Sequence, residues 1–352
     1  MLKVNDTPVR TSRNFNINNI KLDNVEVPDV IKEFNSVKIV GESSKFKVEN
    51  KKIKPNLTYG MGQSLEDLLI NRANQNLKID IDSKVNKELT INFEFDEVNN
   101  VLVDNLEITA NDGTKSTIIL NYSSIKEGSY FHNGVIKLLA KKDSSINVII
   151  LNLLNEKSNN FISIENELEE NAMVNYTIID FGGKNSISNY YSNLIGNNSK
   201  NNISTIYLGS NEQLFDLNYI AELRGEKTDV NIDVQGALND NSKKHFKGTI
   251  DFKKGSKKAK GNENESCMLL SKNARSIALP MLLCSEEDVE GNHSSSSGKA
   301  DEKVLFYIMS RGFDYKEAMK LLIKAKFNSI LENIKNEDVK SLVLNEIDKK
   351  LM

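Results

Sequence analysis

The chain has 352 residues, of which 39% are hydrophobic and 27% charged, which excludes a largely disordered protein and allows one large domain or two smaller ones. A net charge of −3 argues against non-specific nucleic-acid binding, which needs a basic surface. No stretch approaches 18 apolar residues, and the first residues contain no apolar signal segment. We therefore expect a cytoplasmic protein with no membrane partner.

The cysteine and histidine content is too low for a metal site made by this chain alone. There are two cysteines, Cys267 and Cys284, with no CxxC pair, and three histidines, His132, His245 and His293. Two thiols cannot form a disulfide framework, which is consistent with a reducing compartment. Structural zinc sites take four ligands at short spacings. We expect no tightly bound cofactor.

Residues 1–76 are predicted to form an N-terminal arm with one short helix. Residues 1–60 are polar, lack periodicity and contain three of the four prolines. Ser64 is positioned to cap a helix, with Asp67 three residues later. The apolar side of this helix would consist of Leu65, Leu68 and Leu69.

Residues 77–290 show the two-residue period of short β-strands. Turn residues separate the segments, as at 111–113 (Asn-Asp-Gly) and 196–198 (Gly-Asn-Asn). A sandwich, a barrel or a β-helix could each produce this pattern, and no strict sequence repeat decides between them. The clearest alternating segments are Leu89–Phe95, Thr117–Tyr122, Ile146–Leu151, Met173–Ile179, Ile203–Leu208, Val230–Val234 and Gly248–Phe252.

Beyond residue 300 the period becomes helical, so residues 291–352 are predicted to form a C-terminal helical domain. Gly312 is positioned to end a first helix. Asp314 and Glu317 resemble the capping box of a second helix, and a third would follow Asn336.

No catalytic motif is present. The chain contains no GxxxxGK[ST] loop, HExxH or GxSxG sequence, and its carboxylates are scattered. We therefore expect a protein that is not an enzyme. The alternative is an unrelated β-helix hydrolase, which would need carboxylates clustered in a cleft and, for the secreted pectin-degrading enzymes, an export signal.

The C-terminal third contains a histidine followed in order by Gly, Asp, an LFY sequence and an SRG sequence. Here DVEGNHSSSSGKAD, with His293, leads into LFYIMSRG, which ends at Gly312. The combination resembles the SufB/SufD family of iron–sulfur cluster assembly proteins, strongly over residues 170–333 and less so before them. Other segments that fall in family order are Ala172–Asp180, Gly236–Leu238, Phe246–Ile250, Leu269–Ser271, Ala274 and Pro280.

The resemblance implies a mainly β fold, with a right-handed parallel β-helix core, a short N-terminal region and a C-terminal helical domain. It also implies a scaffold subunit that pairs with a SufB-like sister subunit and a SufC-type ABC ATPase. A cysteine desulfurase would supply sulfur to that complex, so it is an indirect partner. The iron–sulfur cluster would be transient and would belong to the complex.

Two positions favour the SufD-like branch. SufB-like chains carry a cysteine six residues before the proline that precedes the last core strand, and here that position is Ala274, counted back from Pro280. They also place Glu directly after the motif histidine, where this chain has Ser294. A cluster-binding SufB-like scaffold acting as a homodimer is the alternative. Cys284 is interpreted as a buried strand cysteine, and the other interpretation is a sulfur acceptor.

Two groups of site residues are predicted. His293 falls between the last predicted core strand and the first C-terminal helix, in a polar run from Ser294 to Gly298 that would leave it accessible. The family motif implies that His293 is a shared iron ligand at the SufB-like interface. The amphipathic segment 314–333 is predicted to dock the ATPase, or else to pack only on the end of this chain's own β-helix. The partner-binding residues are Phe306, Tyr307, Arg311, Leu321 and Leu322.

Overall fold

The computed structural model describes residues 1–11, 17–23, 25–41, 43–84 and 86–351. In chain order its strands are β1 (Leu2–Val4), β2 (Ile20–Leu22), β3 (Val37–Val40), β4 (Phe46–Asn50), β5 (Gln75–Ile81), β6 (Lys87–Phe95), β7 (Val101–Ala110), β8 (Lys115–Ser124), β9 (Phe131–Ala140), β10 (Ser145–Leu153), β11 (Asn159–Leu168), β12 (Met173–Asp180), β13 (Asn185–Leu194), β14 (Lys200–Gly209), β15 (Leu214–Leu223), β16 (Asp229–Leu238), β17 (Lys243–Phe252), β18 (Ala259–Leu269), β19 (Arg275–Cys284) and β20 (Val289–Lys299). The helices are α1 (Gln63–Asn71), α2 (Glu302–Ser310), α3 (Tyr315–Leu331) and α4 (Glu337–Lys350).

Most strands wind into a parallel β-solenoid of about eight turns. Each turn gives one strand to each of two sheets. Sheet I runs β3-β6-β8-β10-β12-β14-β16-β18-β20, and sheet II runs β4-β5-β7-β9-β11-β13-β15-β17-β19. Only the first pair in each sheet is antiparallel. The predicted mainly β fold with a parallel β-helix is confirmed.

Stacked inward-facing side chains hold the turns together. In sheet I, for example, Ile118, Val148, Tyr176, Ile203 and Ile232 occupy one in-register column, and all are buried. Removing such columns from water is the main driving force for the coil. The corners use residues that tolerate positive φ, including the predicted turn residues 113 (φ 64°) and 198 (φ 57°).

The strands that the alternation did not single out lie mostly in sheet II. Every alternating segment named above falls in sheet I, except the one in β17. In sheet II, nine of the ten residues of β15 and eight of the ten in β9 are buried, because both faces of this sheet are covered. Burial on two faces removes the apolar–polar alternation by which a strand is recognised.

The N-terminal arm covers the outer face of sheet II. Strands β1 and β2 pair antiparallel and pack with α1 against sheet II residues such as Phe131 and Phe161. The side-chain amide of Asn5 inserts into this face and donates to Ser188 O at 3.1 Å, and Lys247 Nζ donates to Asn5 O at 2.9 Å. The arm is therefore anchored by polar contacts as well as by an apolar cluster.

Helix α1 confirms the predicted apolar side but not the predicted cap. Leu65, Leu68 and Leu69 are buried. Ser64 lies inside the helix, and Gly62 occupies the N-cap position without a side-chain cap. The Glu66 carboxylate instead accepts a hydrogen bond from Gly62 N at 3.3 Å, so the first turn is satisfied from within.

The C-terminal helices begin and end where the sequence predicted. Gly312 takes φ +100° just after α2, and its N–H donates to Met309 O. Asp314 and Glu317 form a capping box at α3, and the Asn336 side chain caps α4. The helices pack along the outer face of sheet I rather than on the end of the solenoid, burying Phe327 and Ile347 against strand residues such as Ile149 and Ile206.

None of the helices in the described part of the chain is long and apolar enough to cross a membrane. The division into units at residues 76 and 290 stays a prediction.

Candidate functional site at the end of the solenoid

The last turn of the solenoid presents an open strand edge that carries His293. Strands β19 and β20 are the terminal strands of their sheets, and across the described ranges neither has a strand partner on its outer edge. Ten of the eleven residues of β20 are exposed. The sequence predicted that His293 and the Ser294–Gly298 run follow the last core strand. They instead form that strand, because β20 pairs in register with β18 over its whole length.

His293 continues an inward-facing column into the open end. The column described above passes from Ile232 to Glu263 on β18, and His293 is the register partner of Glu263. His293 is exposed because no further turn covers it. The structure shows no hydrogen bond to its imidazole among the described residues, so its ring nitrogens are available to a ligand.

Directly beneath His293 lies a buried carboxyl group without a partner. Glu263 is only 3% exposed, and neither of its carboxyl oxygens has a hydrogen-bond partner in the described part of the chain. Burial, together with the negative charge of Glu265, raises the pKa of Glu263 to about 8. This carboxyl group is therefore mainly protonated at neutral pH.

The other interior charges of the last turns are paired. Lys244 Nζ and Glu265 Oε1 lie 2.5 Å apart, and both side chains are fully buried. Glu265 also accepts hydrogen bonds from the hydroxyls of Ser295 (2.8 Å) and Tyr207 (3.4 Å). Ser295 lies on β20, so this network connects the interior ion pair to the strand that carries His293.

The two cysteines are placed differently from each other. Cys284, predicted to be buried, is exposed, because it is the last residue of the terminal strand β19. Its Sγ donates to Glu286 O at 2.9 Å. Cys267 is buried, and this burial raises the pKa of its thiol. Among the described residues no group of three or more His, Cys, Asp or Glu side chains is arranged to hold a metal ion.

The other two histidines are occupied by contacts within the chain. His132 is fully buried, with Nε2 2.8 Å from Asp104 Oδ1 and Nδ1 2.6 Å from Asn160 Oδ1. His245 Nδ1 lies 3.5 Å from Asp216 Oδ2, beneath the N-terminal arm. Of the three histidines, His293 is therefore the one accessible to a partner.

Most of the predicted partner-binding residues are exposed on the C-terminal helices α2 and α3 or directly after α2. Phe306 is 74% exposed and Leu321 41% exposed. Tyr307 is also exposed, and the Arg311 guanidinium lies over its ring at 5.1 Å. Leu322 differs, because it is half-buried and packs against the chain's own apolar cluster between the helices and sheet I.

Comparison with known proteins identifies the family. The model of the SUF system FeS cluster assembly SufBD core domain matches residues 93–326, two thirds of the chain. The chain belongs to the SufB/SufD family. It is 23% identical over 252 residues to the iron–sulfur cluster assembly protein SufD of Bacillus subtilis, which covers 71% of this chain and 58% of that protein.

Two further relatives support the same assignment. The SufD protein of Escherichia coli is 22% identical over 240 residues, covering 68% of this chain and 57% of that protein. A SufBD family protein of Pyrococcus horikoshii is 30% identical over 168 residues, covering 47% of this chain and 36% of that protein. The chain thus spans somewhat more than half the length of the SufD relatives, and it is SufD-like. The family match contradicts the alternative that the chain is a β-helix protein unrelated to this family.

The positions that separate the SufD-like branch are explained by the structure. Ala274 is buried, and its methyl group packs in the solenoid core just before β19. Ser294 Oγ donates to Asn264 Oδ1 at 2.8 Å. Asn264 is its register partner on β18, so the serine is the last side chain of an in-register polar column. Pro280 lies within β19 and so precedes β20, the last core strand, and a terminal strand such as β19 tolerates proline.

Sequence reasoning missed Glu263 and Lys244, two buried ionisable residues of the last turns. Their burial depends on which face of the strand they occupy. In β18 the residues at odd positions, from Ala259 to Cys267, are buried and those at even positions are not. That parity is a signal for Glu263, but the apparent hydrophilicity of the NENES segment concealed it.

Proposed function

We propose that this chain is a non-catalytic, cytoplasmic scaffold subunit of a Suf-type iron–sulfur cluster assembly complex. One observation carries the proposal: the family's motif histidine stands exposed and unpaired on the open terminal strand of the solenoid. It offers one ligand where the described part of the chain offers no complete set. A ligand set that is incomplete in one chain is expected where two subunits share a site.

The sister subunit would be SufB-like and would pair with the open end. The free edges of β19 and β20 present backbone N–H and C=O groups that a strand of another chain can satisfy. Four of the eleven residues of β20 are serines and two are glycines, and these small residues let a second chain approach closely. A neutral imidazole from His293 would then contribute one ligand to the substrate iron, and the partner would supply thiolate and carboxylate.

A homodimer is the second candidate, because the same edge could pair with its own copy about a two-fold axis. The exposed Cys284 at this end would give each copy one thiol besides its histidine. The buried alanine at position 274 removes the thiol expected of a SufB-like chain, so the heteromeric complex is the better-supported arrangement. In either arrangement the cluster is transient, and this chain alone holds none tightly.

The C-terminal helices would dock a SufC-type ATPase, and the desulfurase that supplies sulfur would act through the complex. Phe306 on α2 and Leu321 on α3 are large apolar side chains exposed to solvent. Large aromatic side chains at such positions are frequent centres of binding energy. Leu322 is better left unchanged in a test, because its partial burial against the chain's own core would confuse docking with folding.

The double variant Phe306→Asp/Leu321→Asp should abolish co-purification with the ATPase. Two buried carboxylates at an apolar contact are expected to weaken binding by at least about 30-fold. Co-purification and circular dichroism are the measurements. Val98→Asp is the matched control, because Val98 is 73% exposed on a turn of the solenoid outside the C-terminal helices. Undiminished ATPase binding by the double variant would contradict the docking surface.

A further inference from the structure

Among the buried carboxyl groups of the described chain, Glu263 is the one with both oxygens lacking a hydrogen-bond partner. In the buried Lys244–Glu265 and His132–Asp104 pairs, the two side chains lie within hydrogen-bonding distance of each other. Buried Asp180 accepts hydrogen bonds from the Ser186 hydroxyl and the Asn152 amide. Glu263 is as deeply buried, yet both of its carboxyl oxygens lack a partner in the described structure. A buried polar group without a partner costs stability, so its presence calls for a specific explanation.

A glycine on the opposite sheet makes room for this carboxyl group. Gly248 on β17 faces Glu263 across the solenoid interior, and a Cβ at position 248 would overlap the Glu263 carboxylate. In the same column, the preceding turns carry the large buried side chains of Tyr190 and Tyr219. The space that an aromatic ring fills in those turns is therefore filled in this turn by an unpaired carboxyl group.

The strand register brings Glu263 and His293 to the same face. They are Cα partners on neighbouring parallel strands. In-register side chains on such strands point to the same side and start about 4.8 Å apart. Glu263 lies on the buried side of this pair and His293 on the open side. A cation between them would contact an oxygen and a nitrogen ligand supplied by this chain.

We propose that Glu263 is a second cation ligand of the His293 site and reaches the ion from inside the solenoid. This inference rests on the proposed function, because it adds a second ligand to the site at which the partner would complete the ligand set. Carboxylate oxygen and imidazole nitrogen together suit a divalent first-row ion such as Fe²⁺, Co²⁺ or Zn²⁺. Because ligands bind in the deprotonated form, the ion displaces the Glu263 proton to solvent. Two protein ligands hold such an ion weakly, so it would be lost on desalting and is detected only at equilibrium.

Isothermal titration of the full chain with Co²⁺ tests this inference. Wild-type chain should bind about one Co²⁺, and both Glu263→Gln and His293→Ala should weaken binding by at least about tenfold. Glu290→Gln is the matched control. Glu290 is an exposed carboxylate on the same strand as His293, it lies on the opposite face, and it forms a surface ion pair with Lys260. The Glu290→Gln variant should bind Co²⁺ as tightly as the wild type.

Thermal unfolding of the same variants provides a second readout. Glu263→Gln should not lower the melting temperature, because the native carboxyl group makes no hydrogen bond that the amide would lose. A Glu263→Gln chain that binds Co²⁺ as tightly as the wild type overturns the inference and leaves the role of His293 intact. A wild-type chain that binds Co²⁺ no better than the His293→Ala variant also overturns it. The proposed function is judged separately, by cluster assembly in the complex.

Discussion

Replacing Asp104 with alanine should lower the free energy of unfolding by about 2–5 kcal/mol, because the substitution leaves two buried groups, His132 Nε2 and the Tyr122 hydroxyl, without their hydrogen-bond partner. The Asp104 and His132 side chains are both fully buried, and the Asp104 carboxylate also accepts a hydrogen bond from Tyr122 OH at 3.2 Å. Both His132 ring nitrogens face oxygen acceptors, since the Asn160 amide nitrogen donates to Ser186 instead.

Urea or thermal denaturation of the purified chain measures this loss. Asp112→Ala is the matched control, because Asp112 is an exposed turn residue, and its effect should stay within about 0.5 kcal/mol. Asp104→Asn should fall between the two, since the amide keeps the shape and loses the charge. A loss of less than about 1 kcal/mol in Asp104→Ala would show that the buried hydrogen bonds of Asp104 do not hold these turns together.

Replacing His293 with alanine should reduce cluster assembly by the complex by about tenfold or more, with folding and complex formation unchanged. Losing a ligand, or even a group that orients one, costs metal sites about this much in affinity or activity. Folding should be unaffected, because the imidazole is exposed and makes no hydrogen bond in the described structure. The rate of cluster formation is measured by absorbance and by iron and sulfide content after anaerobic reconstitution with both partners.

The control for His293 is Asn292→Ala on the same strand. Asn292 faces outward and donates to Asn262 Oδ1 at 3.0 Å, so it shares the strand but not the site. His245→Ala should also leave the assembly rate unchanged. His132→Ala should not affect the chemistry either, but the buried hydrogen bond between His132 and Asp104 makes it a poor control for folding. Cluster formation at the wild-type rate by the His293→Ala complex would exclude the ligand role.

Local signals in the sequence predicted the C-terminal helices well. Gly312, the Asp314–Glu317 capping box and Asn336 act within a few residues of themselves, and the structure confirms all three. Ser64 failed as a cap because two competing groups, Gly62 and the Glu66 carboxylate, satisfy the same helix end. A helix end can be predicted from the sequence where one residue is the clear candidate for the cap. The prediction is ambiguous where neighbouring residues compete for the same helix end.

Long-range features of the site could not be predicted. The motif identified His293 from the sequence alone. Strand β20 was not predicted as a strand, because its run of serines shows no alternation of apolar and polar residues. The contact of Glu263 with Gly248 depends on the registers of both sheets, and residues 15 apart in sequence meet only when the coil is closed. Burial of a carboxyl group at such a position follows from the fold and not from local composition.

Affinity purification of the tagged chain from its native host tests the central claim most directly. The account predicts that a SufB-like subunit and a SufC-type ATPase co-purify in comparable amounts, and that the Phe306→Asp/Leu321→Asp variant loses the ATPase while it retains the sister subunit. Recovery of the intact chain with neither protein, under conditions that preserve other complexes of the host, would contradict a scaffold role in cluster assembly.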